Sequence, residues 1–142
     1  MAEPRHARGI VDTSVVIDLE RLNPAALPSE LAISAVTLAE LAAGPHATAD
    51  AGERARRQDR LQRSEATFEP MPVDGAVARA YGRVYAAVAA VGRKARGRRA
   101  FDLLIAATAL AAELPLYTHN PDHFGGLDGL VEVVAVPAQR DS

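Results

Sequence analysis

No cysteine occurs among the 142 residues, which excludes disulfide cross-links and thiolate zinc sites and makes a reducing compartment, the cytoplasm, the expected setting. Aromatic residues are scarce at 4%, so a core has to be assembled from alanine, valine, leucine and isoleucine. Long apolar runs are missing as well. The greasiest segment, Leu103 to Ala112, is about half the ~20 residues a membrane span requires, so it reads as a buried helix and no membrane role is expected. The stretch after the charged N-terminus is interrupted at Asp12 and again at Asp18, whereas a signal peptide needs an unbroken apolar region there. A glycine-rich phosphate loop and a dinucleotide fingerprint are both absent, which ranks nucleotide-cofactor chemistry low.

What is present fits one domain, long enough to bury a single core and too short for two. The expected domain spans residues 9–136, with 1–8 and 137–142 as flexible termini. A net charge of −2 and a pI near 6.1 argue against nucleic-acid binding on global charge alone. Local charge points the other way. Arg93, Lys94, Arg96, Arg98 and Arg99 are five positive residues in seven positions with no acid among them, which suits contact with phosphate. A second basic stretch, Arg54, Arg56, Arg57, Arg60 and Arg63, is interleaved with Glu53, Asp59 and Glu65 and reads as a solvated helix.

Apolar and turn-forming residues alternate in blocks that give strand then helix repeatedly. Gly9 to Val11 is a short strand followed by a helix from Val15 to Leu22; Leu31 to Ala35 and Val36 to Ala43 repeat the pattern until Gly44-Pro45 ends it. A polar helix over 48–67, a third strand over 68–73 and an alanine-rich helix capped by Asp74 follow. A helix from Phe101 to Glu113, a strand at 116–118 and a final strand within 131–136 complete the chain. Strands separated by helices imply an α/β fold with a mostly parallel central sheet flanked by helices.

In such a sheet ligands bind beyond the carboxyl ends of the strands. Four acids from distant segments map there: Asp12 after the first strand, Glu40 in the helix after the second, Asp102 in the first turn of the helix leading to the fourth, and Asp122 in the loop after it. Each has an ordinary alternative. Asp12 suits a helix N-cap, Asp102 suits the positive end of a helix, and Asp122 suits a turn. Glu40, flanked by Leu38, Ala39 and Leu41, is costly on a covered helix face without a partner. Together they are harder to dismiss, since unit charges about 4 Å apart repel by roughly 4 kcal/mol at an effective dielectric near 20. A divalent cation would relieve that, and oxygen-only donors favour Mg²⁺ or Mn²⁺ over zinc. The four histidines have no zinc-ligand spacing.

Ile10-Val11-Asp12-Thr13-Ser14, Thr37-Leu38-Ala39-Glu40-Leu41, Phe101-Asp102-Leu103-Leu104-Ile105-Ala106-Ala107-Thr108-Ala109 and Tyr117-Thr118-His119-Asn120-Pro121-Asp122-His123-Phe124 resemble, in order and spacing, the acidic blocks of PIN-domain ribonucleases, and most nearly those of VapC-type toxins. The resemblance covers residues 9 to 136; its fourth block is the loosest, because Asn120 and Asp122 both match polar positions used there. It implies a five-stranded parallel sheet, Mg²⁺ or Mn²⁺ dependence, endonucleolytic cleavage of RNA, homodimerisation and inhibition by a cognate VapB-type antitoxin.

On that reading Asp12, Asp102, Glu40 and Asp122 hold one or two ions that activate water for in-line attack on phosphorus. Thr13, Ser14, Thr118 and Asn120 orient ligands or water from behind. Arg93, Lys94, Arg98, Arg99 and His119 meet the RNA. Two rivals remain in view: a phosphatase-like hydrolase with Asp12 as nucleophile, weakened by Ser14 where such enzymes carry a second Asp, and a non-catalytic binding module of the same fold.

Overall fold

The computed structural model describes residues 6–93 and 97–138; Lys94 and the outermost termini, 1–5 and 139–142, lie outside them. Four strands, β1 (Arg8–Val11), β2 (Glu30–Ala32), β3 (Leu116–Thr118) and β4 (Val133–Ala135), make one parallel sheet in the order β2-β1-β3-β4. Five helices surround it: α1 (Thr13–Asp18), α2 (Ala35–Ala43), α3 (Ala51–Thr67), α4 (Gly75–Ala90) and α5 (Arg98–Ala112). The expected α/β architecture is therefore present. None of the described helices is long and apolar enough to cross a membrane.

The two-residue period of a strand sorts the core into two layers. Ile10 and Leu116 face α4 and α5, packing with Val77, Val84, Val88, Leu103 and Ala106. Val11 and Tyr117 face the other way, onto Val15, Val16, Ile33 and Leu41. Asp74 begins α4 by accepting a hydrogen bond from Val77 N (3.0 Å), as expected, and Asp50 begins α3 in the same way, accepting from Glu53 N (2.7 Å), a cap that moves the start of that helix from residue 48 to Ala51.

The expected fifth strand, at 68–73, is reduced to one parallel bridge between Ser34 and Met71. Met71 N donates to Ile33 O at 2.9 Å and Ala35 N donates to Met71 O at 2.8 Å. The cause lies in the flanking residues. Pro70 and Pro72 flank the bridged residue with ring-fixed backbone angles that suit an edge rather than a longer ladder, and the N–H groups they lack would point away from the Ser34 segment. The N-terminal boundary also moves. Arg8 is already in β1, Ser29 N donates to His6 O and Glu30 N donates to Ala7 O, so the expected flexible terminus is tied to the sheet by residue 6.

Gly9 is a close approach. A β-carbon there would stand 2.8 Å from Tyr117 Cε1 and 3.3 Å from Pro28 Cγ, and Tyr117 is fully enclosed. Gly9→Val is expected to destabilise the fold by about 1–3 kcal/mol, the usual cost of overpacking. A denaturant midpoint equal to that of the unaltered protein would show that the ring has room to move.

Candidate active site

The chain leaves β1 towards β2 on one side and later returns to β3 on the other, so the connections diverge where β1 and β3 end. Crevices of this kind are where open α/β sheets bind ligands. Asp12, the first residue past β1, is held there by its own N–H donating to Tyr117 O at 3.0 Å. Its side chain is 4% exposed. Oδ1 accepts from Val15 N (3.1 Å), capping α1, and from Ser14 Oγ (2.6 Å). Among the described residues both of its hydrogen bonds end on that one oxygen, and no basic side chain of theirs lies in ion-pair range. The N-cap reading is thus correct as far as it goes. It leaves a buried carboxylate without a countercharge, and such a group costs several kcal/mol unless a cation or proton compensates it.

Glu40 lies on α2 opposite Asp12's neighbour. Thr13 Oγ1 donates to Glu40 Oε1 at 2.7 Å and is 3.1 Å from Thr37 Oγ1. Thr37 is fully buried and was not singled out from the sequence as a site residue; its place three residues before Glu40, hence on the same helix face, was the available signal. Asp102 differs from expectation. Because α5 begins at Arg98 rather than Phe101, Asp102 lies beyond the first turn, and a favourable helix-end charge no longer explains it. Its Oδ2 is 3.6 Å from His123 Nδ1. Asp122 is exposed in a 3-10 turn (Pro121–Phe124) after Asn120.

The acids share this edge of the sheet without closing on one another: among the described residues no three carboxylate or imidazole groups are near enough to enclose an ion. Like charges repel, and two of the carboxylates accept from local hydroxyls, Asp12 from Ser14 and Glu40 from Thr13, while Asp102 faces His123. In kind the donor set still fits a hard cation, since it is all oxygen and its deepest member lacks a countercharge.

A family model for the PIN domain matches residues 10–129. The chain belongs to the PIN-domain family. It is 41% identical over 135 residues to Ribonuclease VapC5 of Mycobacterium tuberculosis, covering 92% of this chain and 96% of that protein. To Ribonuclease VapC8 of the same species it is 37% identical over 110 residues, covering 77% and 96%. Its structure matches that of VapBC-5 from M. tuberculosis, described as a member of the VapBC family of toxin–antitoxin systems, with a TM-score of 0.78 and 39% identity across 93% of this chain and 99% of that one. This PIN domain is accordingly of the VapC type.

Several residues of the PIN domain are set differently from the sequence expectation. His119, expected at the RNA, is turned inward, its side chain 10% exposed with Nδ1 2.7 Å from Val136 O. Thr118 is fully buried, and its hydroxyl accepts from Asn120 N at 2.9 Å, shaping the turn after β3. Arg99 donates to His123 O at 3.0 Å, and the Arg93 guanidinium lies over Gly125, where a β-carbon would stand. These two arginines therefore clasp the loop that carries Asp122. Of Arg98 only the helical position is described, and Lys94 is outside the described residues. In the second basic stretch, expected as a solvated helix, Arg54 and Arg57 hold the carbonyls of Pro45, Thr48 and Gly44 at 2.9–3.1 Å and so brace the turn before α3.

Beside Glu40 the PIN domain has a groove of about 520 Å³. Ile17, Val36, Ala39, Leu41 and Phe101 supply apolar lining, while Thr13 and Glu40 stand at its polar side and Arg57 and Arg60 on α3 opposite. Ile17 and Phe101 are 43% and 49% exposed, a placement that leaves large apolar side chains facing open space.

Proposed function

We infer that this PIN domain is a metal-dependent endoribonuclease, the toxin of a VapBC-type pair, working in the cytoplasm as a homodimer. The observation that carries the reading is the buried carboxylate of Asp12 at the divergence of β1 and β3, without a countercharge among the described residues. VapC5 and VapC8, its relatives, are named ribonucleases. Asp12 would be the principal ligand of Mg²⁺ or Mn²⁺, with Asp102, Glu40 and Asp122 completing the set. When bound, such a cation offsets phosphate charge and acidifies a coordinated water.

The chain's own residues do the positioning. Ser14 fixes the rotamer of Asp12, leaving its other oxygen for the ion, and Thr13 helps to fix that of Glu40. Arg99 and Arg93 set the loop of Asp122 against α5. Arg98 and Lys94, next to them in sequence, would draw the RNA backbone in. The groove beside Glu40 would take an apolar segment of the antitoxin, with a basic side chain reaching the acids.

Hydrolysis by water leaves the ribose 2′-hydroxyl a bystander, so products should carry 5′-phosphate and 3′-hydroxyl ends. Purified protein with Mn²⁺ and RNA, assayed by end-group analysis and with a 2′-O-methyl group at the scissile position, tests this. Cleavage that survives excess EDTA, or cyclic-phosphate ends, would overturn the chemistry.

A further inference from the structure

His119 is the first residue past β3, as Asp12 is past β1, and its contacts run to both ends of α1 and to the segment after β4. Its backbone N–H donates to Ser14 Oγ at 3.2 Å, and that hydroxyl in turn donates to Asp12 Oδ1 at 2.6 Å. Its ring reaches the segment after β4: Nδ1 is 2.7 Å from Val136 O, and because a carbonyl only accepts, Nδ1 carries the proton and donates. On the other side Nε2 is 3.2 Å from Asp18 Oδ2 at the end of α1, off the line that a hydrogen bond needs. Val136 N donates back to Thr118 O at 2.8 Å, so the strand end is pinned on both sides of the ring.

We propose that His119 is a positioning residue for Asp12, acting through Ser14. The side chain, nine-tenths enclosed, is wedged between α1 and the end of β4. That wedge fixes the backbone at 119, and the fixed N–H orients the Ser14 hydroxyl onto the carboxylate. A rotated Ser14 would leave Oδ1 held by Val15 N alone, and the carboxylate would present its other oxygen less firmly in one direction. Such outer partners of a ligand carry substantial metal affinity although they touch no metal. The inference rests on the reading of Asp12 as a cation ligand.

Mn²⁺ titration of the purified protein, followed by the electron spin resonance of free Mn²⁺, provides a readout independent of cleavage. His119→Leu is expected to weaken Mn²⁺ binding about tenfold. His119→Asn keeps an N–H donor one bond past Cγ and should remain within about threefold of the unaltered protein. Ser14→Ala should match His119→Leu, and the double variant should be no weaker than either single one, because both changes break one chain of contacts. Affinity for a mixed-sequence oligoribonucleotide without added metal should stay within about twofold. His119→Gln, whose amide sits one bond farther out and misses Val136 O, replaces the leucine variant if that one does not fold.

Unchanged Mn²⁺ affinity in the leucine or glutamine variant overturns the proposal. So do effects of Ser14→Ala and the His119 change that multiply in the double variant. Lost RNA affinity with intact Mn²⁺ binding overturns it in favour of a substrate contact. An unaltered protein that binds no Mn²⁺ is a distinct outcome, which overturns the metal reading of Asp12 and this inference with it.

Discussion

Asp12→Asn is expected to lower RNA cleavage on the order of a thousandfold or more and, in EDTA, to raise stability by about 1–3 kcal/mol. The two effects share one cause. The carboxylate is buried and no described basic side chain pairs with it, so on this reading the metal-free protein carries an uncompensated charge that the amide removes. Asparagine caps a helix as well as aspartate does and offers the same oxygen to Val15 N and Ser14 Oγ, so α1 should start unchanged. Added Mn²⁺ sharpens the comparison, since a ligand at a hundred times its dissociation constant stabilises by about 2.7 kcal/mol. Unaltered protein should gain in that way and Asp12→Asn should not. A variant less stable than its parent in EDTA would mean that the charge is already compensated within the fold.

Ile17→Glu is expected to raise the dissociation constant of the cognate antitoxin at least about thirtyfold, equivalent to about 2 kcal/mol or more. Ile17 lines the groove beside Glu40 and is 43% exposed in the free protein, so a carboxylate there is tolerated until a partner buries it. It then has to be desolvated against Val36, Ala39 and Phe101, which offer no donors from their side chains. Binding measured by calorimetry on the co-expressed partner provides the check. An antitoxin that holds the variant as tightly as the parent docks elsewhere, and the groove loses its assigned role.

Much of this arrangement was legible in the residues themselves. The alternation of apolar blocks with Gly44-Pro45, Asp74 and Pro115 located most of the elements to within a few residues, because those signals act locally. The edge that holds Asp12 and Asp122 followed from the parallel connectivity. What local signals missed was set at a distance or by a neighbour. Pro70 and Pro72 look like punctuation around a strand, yet their fixed backbone angles leave Met71 alone to pair. Gly97 sits at φ 63° and lets α5 begin at Arg98, ahead of the apolar period that pointed to Phe101. His119 looks like an exposed loop histidine because nothing in its own neighbourhood announces Val136 or Asp18, its contacts after β4 and in α1. Arg99 and Arg93 likewise advertise phosphate by charge, whereas the loop they grip is more than twenty residues away in sequence.

The proline-flanked bridge at Met71 bears on how the protein behaves in a crowded cell. An open β-edge is a template on which further chains stack, and it endangers any protein that waits unpartnered. Just past β2, at Ser34, that template is met by Met71, whose neighbours Pro70 and Pro72 cannot offer amide hydrogens to a newcomer. Over that stretch of the flank two imino acids stand where a longer strand would invite another chain, and a protein held apart from its partner is expected to add strands there less readily.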